Sequence, residues 1–521
     1  MAVLKVADIA QWIAKAAPQG ALASDSRRVQ PGDVFFAYAA DAGDAGDGRD
    51  FIQAAIAQGA AAVVHDPRGF EWNAAWSVPH LAVEELKANA GLIAHAVHDQ
   101  PDSAMFSVGV TGTNGKTSIA VWLGQAFSRL GETAAVIGTL GVGIFKGRAE
   151  PQFDVTGYTT PDAVLLAQKL KDVRDAGATS LAIEVSSIGL VQGRTLGMHF
   201  DVAVFTNLTR DHLDFHGDMA SYEAAKLKLF EWPGLKTAVI NLDDAAGLRL
   251  LAHLRAQVPQ VALTGYTLQD QAALPDIDGV AMLRASQFRS KHVGTEFHVD
   301  TQLGGATVKT ALVGHFNVSN ALAVLGTLLA KGVALRAAAE ALESLTPAPG
   351  RMQQVGGVQG AGGQERPMVV VDYAHTPDAL EKTLSALKQV AGERGGQLWC
   401  VFGCGGDRDP GKRPQMGAIS QIAEHVLVTS DNPRSEEPNA IIADIVAGMD
   451  PARADSAMQA IEDRAAAILL AVKQAGKNDV ILLAGKGHEP YQEIKGRKMA
   501  FSDFDHASLA LAARVTMMRT S

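Results

Sequence analysis

The stretch Ser107–Thr117, reading SVGVTGTNGKT, constrains this chain more than any other. Ser107–Val110 is a short, largely β-branched run that reads as a buried strand. Gly112, Gly115, Lys116 and Thr117 follow, and a helical pattern runs from Ser118 to Leu130. Strand, glycine-rich turn, Lys-Thr and helix is the order of a phosphate-binding loop. Glycines let backbone N–H groups turn toward a polyphosphate, the helix N-terminus adds its positive end, Lys116 reaches the outer phosphates, and the Thr117 hydroxyl can meet Mg²⁺. The strict spacing asks for Gly at position 110, where this chain has Val110. A plain glycine-rich turn in a doubly wound domain leaves Lys-Thr at the helix start unexplained.

The rest of the chain is read around that loop. At 521 residues, two to four domains are expected. A net charge of −10 argues against a nucleic-acid partner, so substrate anions must be met by local basic groups. Cys400 and Cys404 are the only cysteines and read as core thiols; they lack a histidine at ligand spacing and make no zinc site. So little cysteine fits a reducing cytosol. Asp8, Gln11 and Lys15 interrupt any signal-peptide core, and Val6, Ile9 and Ile13 predict an amphipathic helix instead. No apolar run is long enough to predict a membrane span.

Residues 1–103 form a first α/β unit, with strands at Val34–Tyr38 and Ala61–His65 and a helix at Phe51–Gln58. Ser24, Ser26 and Arg28 could meet a ligand or merely shape a turn. A linker near Asp99–Ser103 leads into a central unit, 104–346. There Ala135–Ile137, Ser180–Ile183 and Val202–Thr206 read as strands, and Thr159 or Thr160 is expected to cap a helix starting near Pro161. Glu184 and His212, just past two of those strands, are candidate Mg²⁺ ligands. Lys226, three residues after Glu223 on a helix, reads by default as half of a solvated ion pair. Gly314–Gly332 is a turn feeding a core helix.

In the third unit, 347–521, four apolar strands (Met368–Val371, Leu398–Phe402, His425–Thr429 and Val480–Leu483) each end in a polar, glycine-punctuated segment. In an open parallel sheet such segments meet along one edge, where ligands bind. They bring Arg408, Lys412, Arg413, Arg434, Lys486 and His488 as cations, and Asp372, Asp431 and Glu489 as anions.

TGTNGKT, EVSSIGLVQGR, FTNLTRDHLDFHG, EAAK, GHFN, GRM, DYAHTPDAL, FGCGGDRDPGKRP, DNPRSEEP and AGKGHE stand in the order found in the Mur ligase family, which the chain resembles over nearly its whole length. The resemblance implies an α/β, three-domain architecture. An N-terminal domain holds a UDP-sugar, a central P-loop domain binds ATP, and a C-terminal Rossmann-like parallel-sheet domain brings an amino acid. It implies a cytoplasmic, monomeric, ATP-dependent amide ligase of peptidoglycan synthesis. ATP would phosphorylate the D-glutamate carboxylate of UDP-N-acetylmuramoyl-L-alanyl-D-glutamate, and the amine of meso-2,6-diaminopimelate would displace phosphate. An L-lysine-adding or folylpolyglutamate-type ligase, or a scaffold with a decayed site, stands as the alternative.

By the same resemblance, Lys116, Lys226, His212 and Glu184 are catalytic, and Gly112, Thr113, Asn114, Gly115, Lys116, Thr117, Ser118, Asn317 and Arg351 bind ATP. Asn317 could equally be a helix cap. Thr117, Glu184, His212 and a carbamylated Lys226 surround Mg²⁺. The nucleotide-sugar dipeptide falls to Ser24, Ser26, Asp44, Ala45, Gly46, Tyr158, Thr159, Thr160, Ser186, Gln192 and Arg194. Here the chain departs from relatives that carry His-Gln-Ala at 44–46 and Leu at 24. Diaminopimelate falls to Arg408, Asp431, Asn432, Pro433, Arg434, Gly485 and Glu489. Its distal carboxylate suits Arg434 and its distal ammonium suits Glu489; L-lysine would leave Arg434 unpaired.

Overall fold

The computed structural model describes residues 5–39, 46–147, 149, 151–290, 294–355, 366–452 and 458–520. Asp44 and Ala45 lie outside them. Among the described residues, three larger sheets follow one another along the chain, and a two-stranded hairpin, Tyr491–Ile494 with Arg497–Ala500, makes a fourth. The first is parallel and four-stranded: Leu22–Ala23, Val34–Ala37, Ala62–His65 and His80–Ala82.

The central sheet has ten strands. Its order is Gly304–Thr310, Thr295–Thr301, Val280–Ser290, Ala262–Thr267, Thr237–Asn241, Val202–Phe205, Phe106–Thr111, Ser180–Glu184, Ala134–Gly138 and Gly141–Phe145. The middle of this sheet is parallel, and antiparallel strands finish both edges. The phosphate-loop strand Phe106–Thr111 is therefore interior and buried on both faces, which is why it reads as a near-continuous apolar run. One face is covered by the helices Lys116–Arg129 and His315–Ala330, whose Trp122, Phe127, Leu322 and Leu325 are fully buried. The other is covered by the helices Ala163–Asp175 and Ala245–Gln257, through Leu166, Leu170, Leu250 and Leu254. Truncating one such leucine to alanine costs about 2–5 kcal/mol.

The third sheet has the order Gln353–Val355, Met368–Asp372, Val480–Ala484, Leu398–Phe402, His425–Thr429 and Met458–Ile461, parallel except for the first pair. The four strands read from sequence are neighbours at its centre. The two flanking strands are half-exposed and lack the apolar run that marks the others. Both cysteines are buried core thiols, and Cys404 Sγ sits 3.7 Å from Met416 Sδ. No described helix is long and apolar enough to cross a membrane.

One local expectation is overturned. The helix after Pro161 is Ala163–Asp175, and its cap is Asp162, whose carboxylate accepts from the Val164 and Leu165 N–H groups. The Thr160 hydroxyl is committed elsewhere, to the Glu184 carbonyl at 2.9 Å and Ser186 Oγ at 3.0 Å.

Candidate active site

The loop after Phe106–Thr111 is held from behind by the loop after Val202–Phe205. Asn207 Oδ1 accepts from Asn114 N–H at 2.9 Å, and Thr206 Oγ1 and Asn207 Nδ2 both donate to the Asn114 carbonyl. Gly112 and Gly115 have φ of +144° and +90°. A Cβ at 112 would run into Thr206 Oγ1, and one at 115 would lie 2.6 Å from Asn320 Oδ1. This tight seating leaves Lys116 Nζ folded back on the Gly112 and Thr113 carbonyls, at 3.0 and 2.8 Å.

The helix Lys116–Arg129 points its N-terminus into a cavity of about 830 Å³. Thr117 Oγ1 donates to Glu184 Oε2 at 3.0 Å, and Glu184 is fixed by Thr139, whose N–H gives to Oε1 at 2.8 Å. The nearly fully buried Glu184 and Thr117 aim hard oxygen donors at the same place. His212 lines the cavity with its backbone in the left-handed region, and burial pushes its imidazole below the usual range. Beside it, burial raises the Asp211 carboxyl, but the charges of His212, His375, Lys412 and Lys116 outweigh this and hold it low.

Lys226 is not the solvated partner of Glu223. Glu223 pairs with Arg249 at 2.7 Å, while Lys226 is 3% exposed and donates to the Gly112 carbonyl at 2.9 Å, with the Tyr222 ring centre 4.3 Å away. Burial, seconded by the charge of Lys116, pushes its amine well below the ordinary lysine value.

The far wall comes from the third sheet. Arg351 lies over the Tyr373 ring at 4.2 Å and donates to Thr117 Oγ1 at 3.0 Å, and its buried Nη1 has no partner among the described residues. Asp378, in the first turn of the helix Pro377–Glu393, accepts from Asn114 Nδ2 at 3.0 Å. Burial and the Lys412 charge push His375 down to about 4. Asn317 lines the cavity from inside its helix and donates to the Val313 carbonyl; the N-cap is Gly314, so Asn317 is not the cap.

The cavity thus gathers Gly112–Ser118, Thr159, Glu184, Ser186, His212, Lys226, Asn317 and Arg351. Outside its lining, Arg194 donates to the Thr160 carbonyl and to Gln192 Oε1, with its guanidinium 5.3 Å from the Tyr158 ring centre. Ser24 Oγ donates to Asp162 Oδ1 at 2.8 Å, tying the first unit to the second; Ser26 is buried and Gly46 exposed.

The residues assigned to the amino acid form a separate cluster. Glu489 is held by Asn432 Nδ2 at 2.8 Å and by the fully buried Lys486 at 3.1 Å, and burial raises its carboxyl. Arg434 donates to the Gly406 carbonyl at 2.6 Å and faces Glu493 at 3.6 Å. Gly485 lies against Asp431, and Arg408 is exposed. Thr139, Asn207, Asp211, Tyr222, His375 and Asp378 also line the cavity and had no role in the sequence reading. Only the position of Asp211, beside His212 past a strand, carried a signal.

A phosphate loop backed by a hydroxyl–carboxylate pair, in a nucleotide-sized cavity closed by a second parallel sheet, defines a multi-unit phosphate-loop nucleotide enzyme. Family models narrow this: Mur ligase family, catalytic domain at residues 21–98; Mur ligase middle domain at 110–328; and Mur ligase, glutamate ligase domain at 350–487. The chain belongs to the Mur ligase family. It is 60% identical over 510 residues to the UDP-N-acetylmuramoyl-L-alanyl-D-glutamate--2,6-diaminopimelate ligase of Janthinobacterium sp. (strain Marseille), covering 98% of this chain and 97% of that one. With the same-named ligase of Ralstonia nicotianae (strain ATCC BAA-1114 / GMI1000) it shares 52% over 514 residues, 98% and 96% of the two chains. A solved structure of a ligase with that name superposes with a TM-score of 0.62 at 36% identity, over 95% of each chain. The MurF ligase of Thermotoga maritima in complex with ADP matches at TM-score 0.64 and 19% identity, over 96% of this chain and 98% of that one, a likeness of fold.

Proposed function

We propose that this chain joins meso-2,6-diaminopimelate to the D-glutamate carboxylate of UDP-N-acetylmuramoyl-L-alanyl-D-glutamate at the expense of ATP, as a cytoplasmic monomer in peptidoglycan precursor synthesis. The observation that carries the reading is the Thr117–Glu184 pair. It lies in a cavity walled by Arg351 and the third sheet, in a chain that matches ligases of that name nearly end to end.

A carboxylate is a poor electrophile because its leaving group would be oxide. Its oxygen attacks the γ-phosphorus, the bond to ADP breaks, and the acyl phosphate then has phosphate as leaving group. The diaminopimelate amine attacks the acyl carbon, loses a proton, and phosphate departs. Two anions must approach for the first step, and Lys116 swings from its resting carbonyls to the transferring phosphate. Arg351, whose Nη1 has no partner among the described residues, is a second cation for the nucleotide.

The donor set fits Mg²⁺, which takes one or two protein oxygens and completes its shell with phosphate and water. Thr117, Glu184 and His212 would hold it, and it would neutralise phosphate charge. Among the described residues no group of three acidic, histidine or cysteine side chains could hold a metal unaided, which suits a cation that arrives with its nucleotide. Lys226 is read as the carbamate of the family. Its burial supports that reading, because a neutral amine adds CO₂ and an ammonium does not. Tyr158–Thr160, Ser186, Gln192, Arg194, Ser24 and Ser26 are assigned to the nucleotide-sugar dipeptide, and Arg408, Asp431–Arg434, Gly485 and Glu489 to diaminopimelate.

The test is phosphate release from ATP, Mg²⁺ and the UDP-dipeptide, with meso-diaminopimelate or L-lysine in parallel. Release with diaminopimelate alone is expected. Comparable kcat/KM with lysine overturns the specificity assigned to Arg434, and no release with either overturns the ligase reading.

A further inference from the structure

Lys486 lies just past the strand Val480–Ala484, in a turn that the Glu489 N–H closes on the Lys486 carbonyl at 3.0 Å. Its side chain is fully buried and does not line the nucleotide cavity. An ammonium buried that deeply is costly unless it is paired and hydrogen-bonded. Among the described residues its Nζ has two acceptors, Glu489 Oε2 at 3.1 Å and Asn432 Oδ1 at 3.2 Å. Asn432 Oδ1 also accepts from the Glu493 N–H at 2.9 Å, and Asn432 Nδ2 donates to Glu489 Oε2 at 2.8 Å. With two donors on Oδ1 and a carboxylate on Nδ2, the amide has one orientation. One ammonium therefore sets two side chains that are both assigned to the amino acid.

We infer that Lys486 is a positioning residue for the incoming amino acid: it never touches the ligand, but it fixes Asn432 and holds Glu489 as the carboxylate that takes the distal ammonium. The inference rests on the assignment of Asn432 and Glu489 to diaminopimelate. An entering ammonium can displace Asn432 from Glu489, whereas the fully buried Lys486 stays on the carboxylate throughout. Burial pushes the Glu489 carboxyl up, and the charge of Asp431 adds to that, while Lys486 and the Asn432 hydrogen bond pull it down. Of the other titratable groups around it, Arg464 is committed to Asp503 at 2.6 Å. His488 is kept neutral, pushed by burial down to about 3, and Tyr373 is a phenol that burial pushes up. Without Lys486 the Glu489 carboxyl rises further and takes a proton nearer neutrality. A protonated carboxyl offers an ammonium no charge.

The experiment measures the KM for meso-diaminopimelate, and separately that for ATP, by phosphate release from the full-length protein between about pH 6 and about pH 8.5. In the wild type the KM for diaminopimelate is expected to stay level across that range. In Lys486→Met it is expected to rise at least about tenfold near the acid end and to fall back as pH rises and Glu489 ionises, with the KM for ATP unmoved. Glu489→Gln is expected to raise it to a value that is level with pH. The double variant Lys486→Met/Glu489→Gln is expected to match Glu489→Gln within about twofold, because the Glu493 N–H still holds Asn432. A wild-type KM in Lys486→Met overturns the inference while leaving the site standing, and so does a raised KM that is level with pH and adds to that of Glu489→Gln. A wild-type KM for diaminopimelate in Glu489→Gln overturns the assignment of Glu489 itself and the inference with it. Lys486→Gln, neutral yet able to donate an N–H, carries the same pH test where Lys486→Met does not fold.

Discussion

The nucleotide cavity, built on the central sheet and walled by the third, and the amino-acid cluster, built on the third, follow opposite plans. In the cavity, cations rest on neutral partners: Lys116 on the Gly112 and Thr113 carbonyls, Lys226 on the Gly112 carbonyl, and Arg351 on the Thr117 hydroxyl and the Tyr373 ring, its Nη1 without a partner among the described residues. A carbonyl is a weak partner compared with a phosphate, so an arriving polyphosphate gains nearly the full charge-assisted bond. In the cluster the charges already have one another, Glu489 with Lys486 and Asn432, Arg434 with Gly406 and Glu493. A zwitterion entering there exchanges partners rather than finding vacant ones. On the proposed assignment, the first site is arranged for strength and the second for selection, because only a ligand that replaces every displaced contact binds without loss.

The largest expected effect is at the cavity. Lys116→Ala removes the charge that meets the transferring phosphate, and kcat is expected to fall by about 10³-fold or more. A kcat near wild type in steady-state phosphate release would break the comparison at its stronger end. Next comes Arg434→Lys. On the proposed assignment of Arg434 to the diaminopimelate carboxylate, the ammonium cannot reproduce a fork that also holds the Gly406 carbonyl, so kcat/KM for diaminopimelate is expected to fall about 10²-fold with the KM for ATP unmoved. An equal rise in both KM values would show that the two regions are not separate.

What the sequence disclosed follows from how local each feature is. The phosphate loop is legible because its chemistry lies in consecutive residues, and the four central strand ends because apolar runs stop at polar, glycine-marked turns. Spacing alone pairs Lys226 with Glu223 and misses its place, because its partner, the Gly112 carbonyl, is 114 residues away, while Glu223 is claimed by Arg249 on another helix. Thr160 failed as a cap for the same reason: its hydroxyl was already spent on the next strand, at Glu184. Thr139, Asn207 and Asp378 act through contacts across the sheet or between units, and no spacing announces those.

The two plans also predict opposite responses to pH. His375 has its folded value pushed down to about 4, below the unfolded 6.5. It therefore contributes stability that is complete above 6.5 and is lost as pH falls from 6.5 toward 4, on the order of 3 kcal/mol. Glu489 is raised above its unfolded 4.5, so its burial costs stability as pH rises through and beyond 4.5. Denaturant titrations across pH 4–8 are expected to show a flatter acid limb in His375→Asn and a gain near neutrality in Glu489→Gln. An acid limb in His375→Asn as steep as in the wild type would show that this imidazole is not held neutral.

The smallest effect is the most informative about how the two regions are joined. Asp378 accepts from Asn114 of the phosphate loop and from Lys382 one turn further along its own helix, so it bonds the third sheet's unit to the loop with a single carboxylate oxygen between them. Asp378→Ala deletes one charge-assisted hydrogen bond across a partly exposed seam, about 1–2 kcal/mol. If the seam only seats the loop, the KM for ATP rises several-fold and the KM for diaminopimelate stays put. If the seam sets the distance between the acyl phosphate and the incoming amine, kcat falls instead, because misplacement of one reactant costs rate without costing ground-state binding of either. A fall in kcat with both KM values unchanged would mean that the cavity and the cluster, built on opposite plans, are held in register by Asp378.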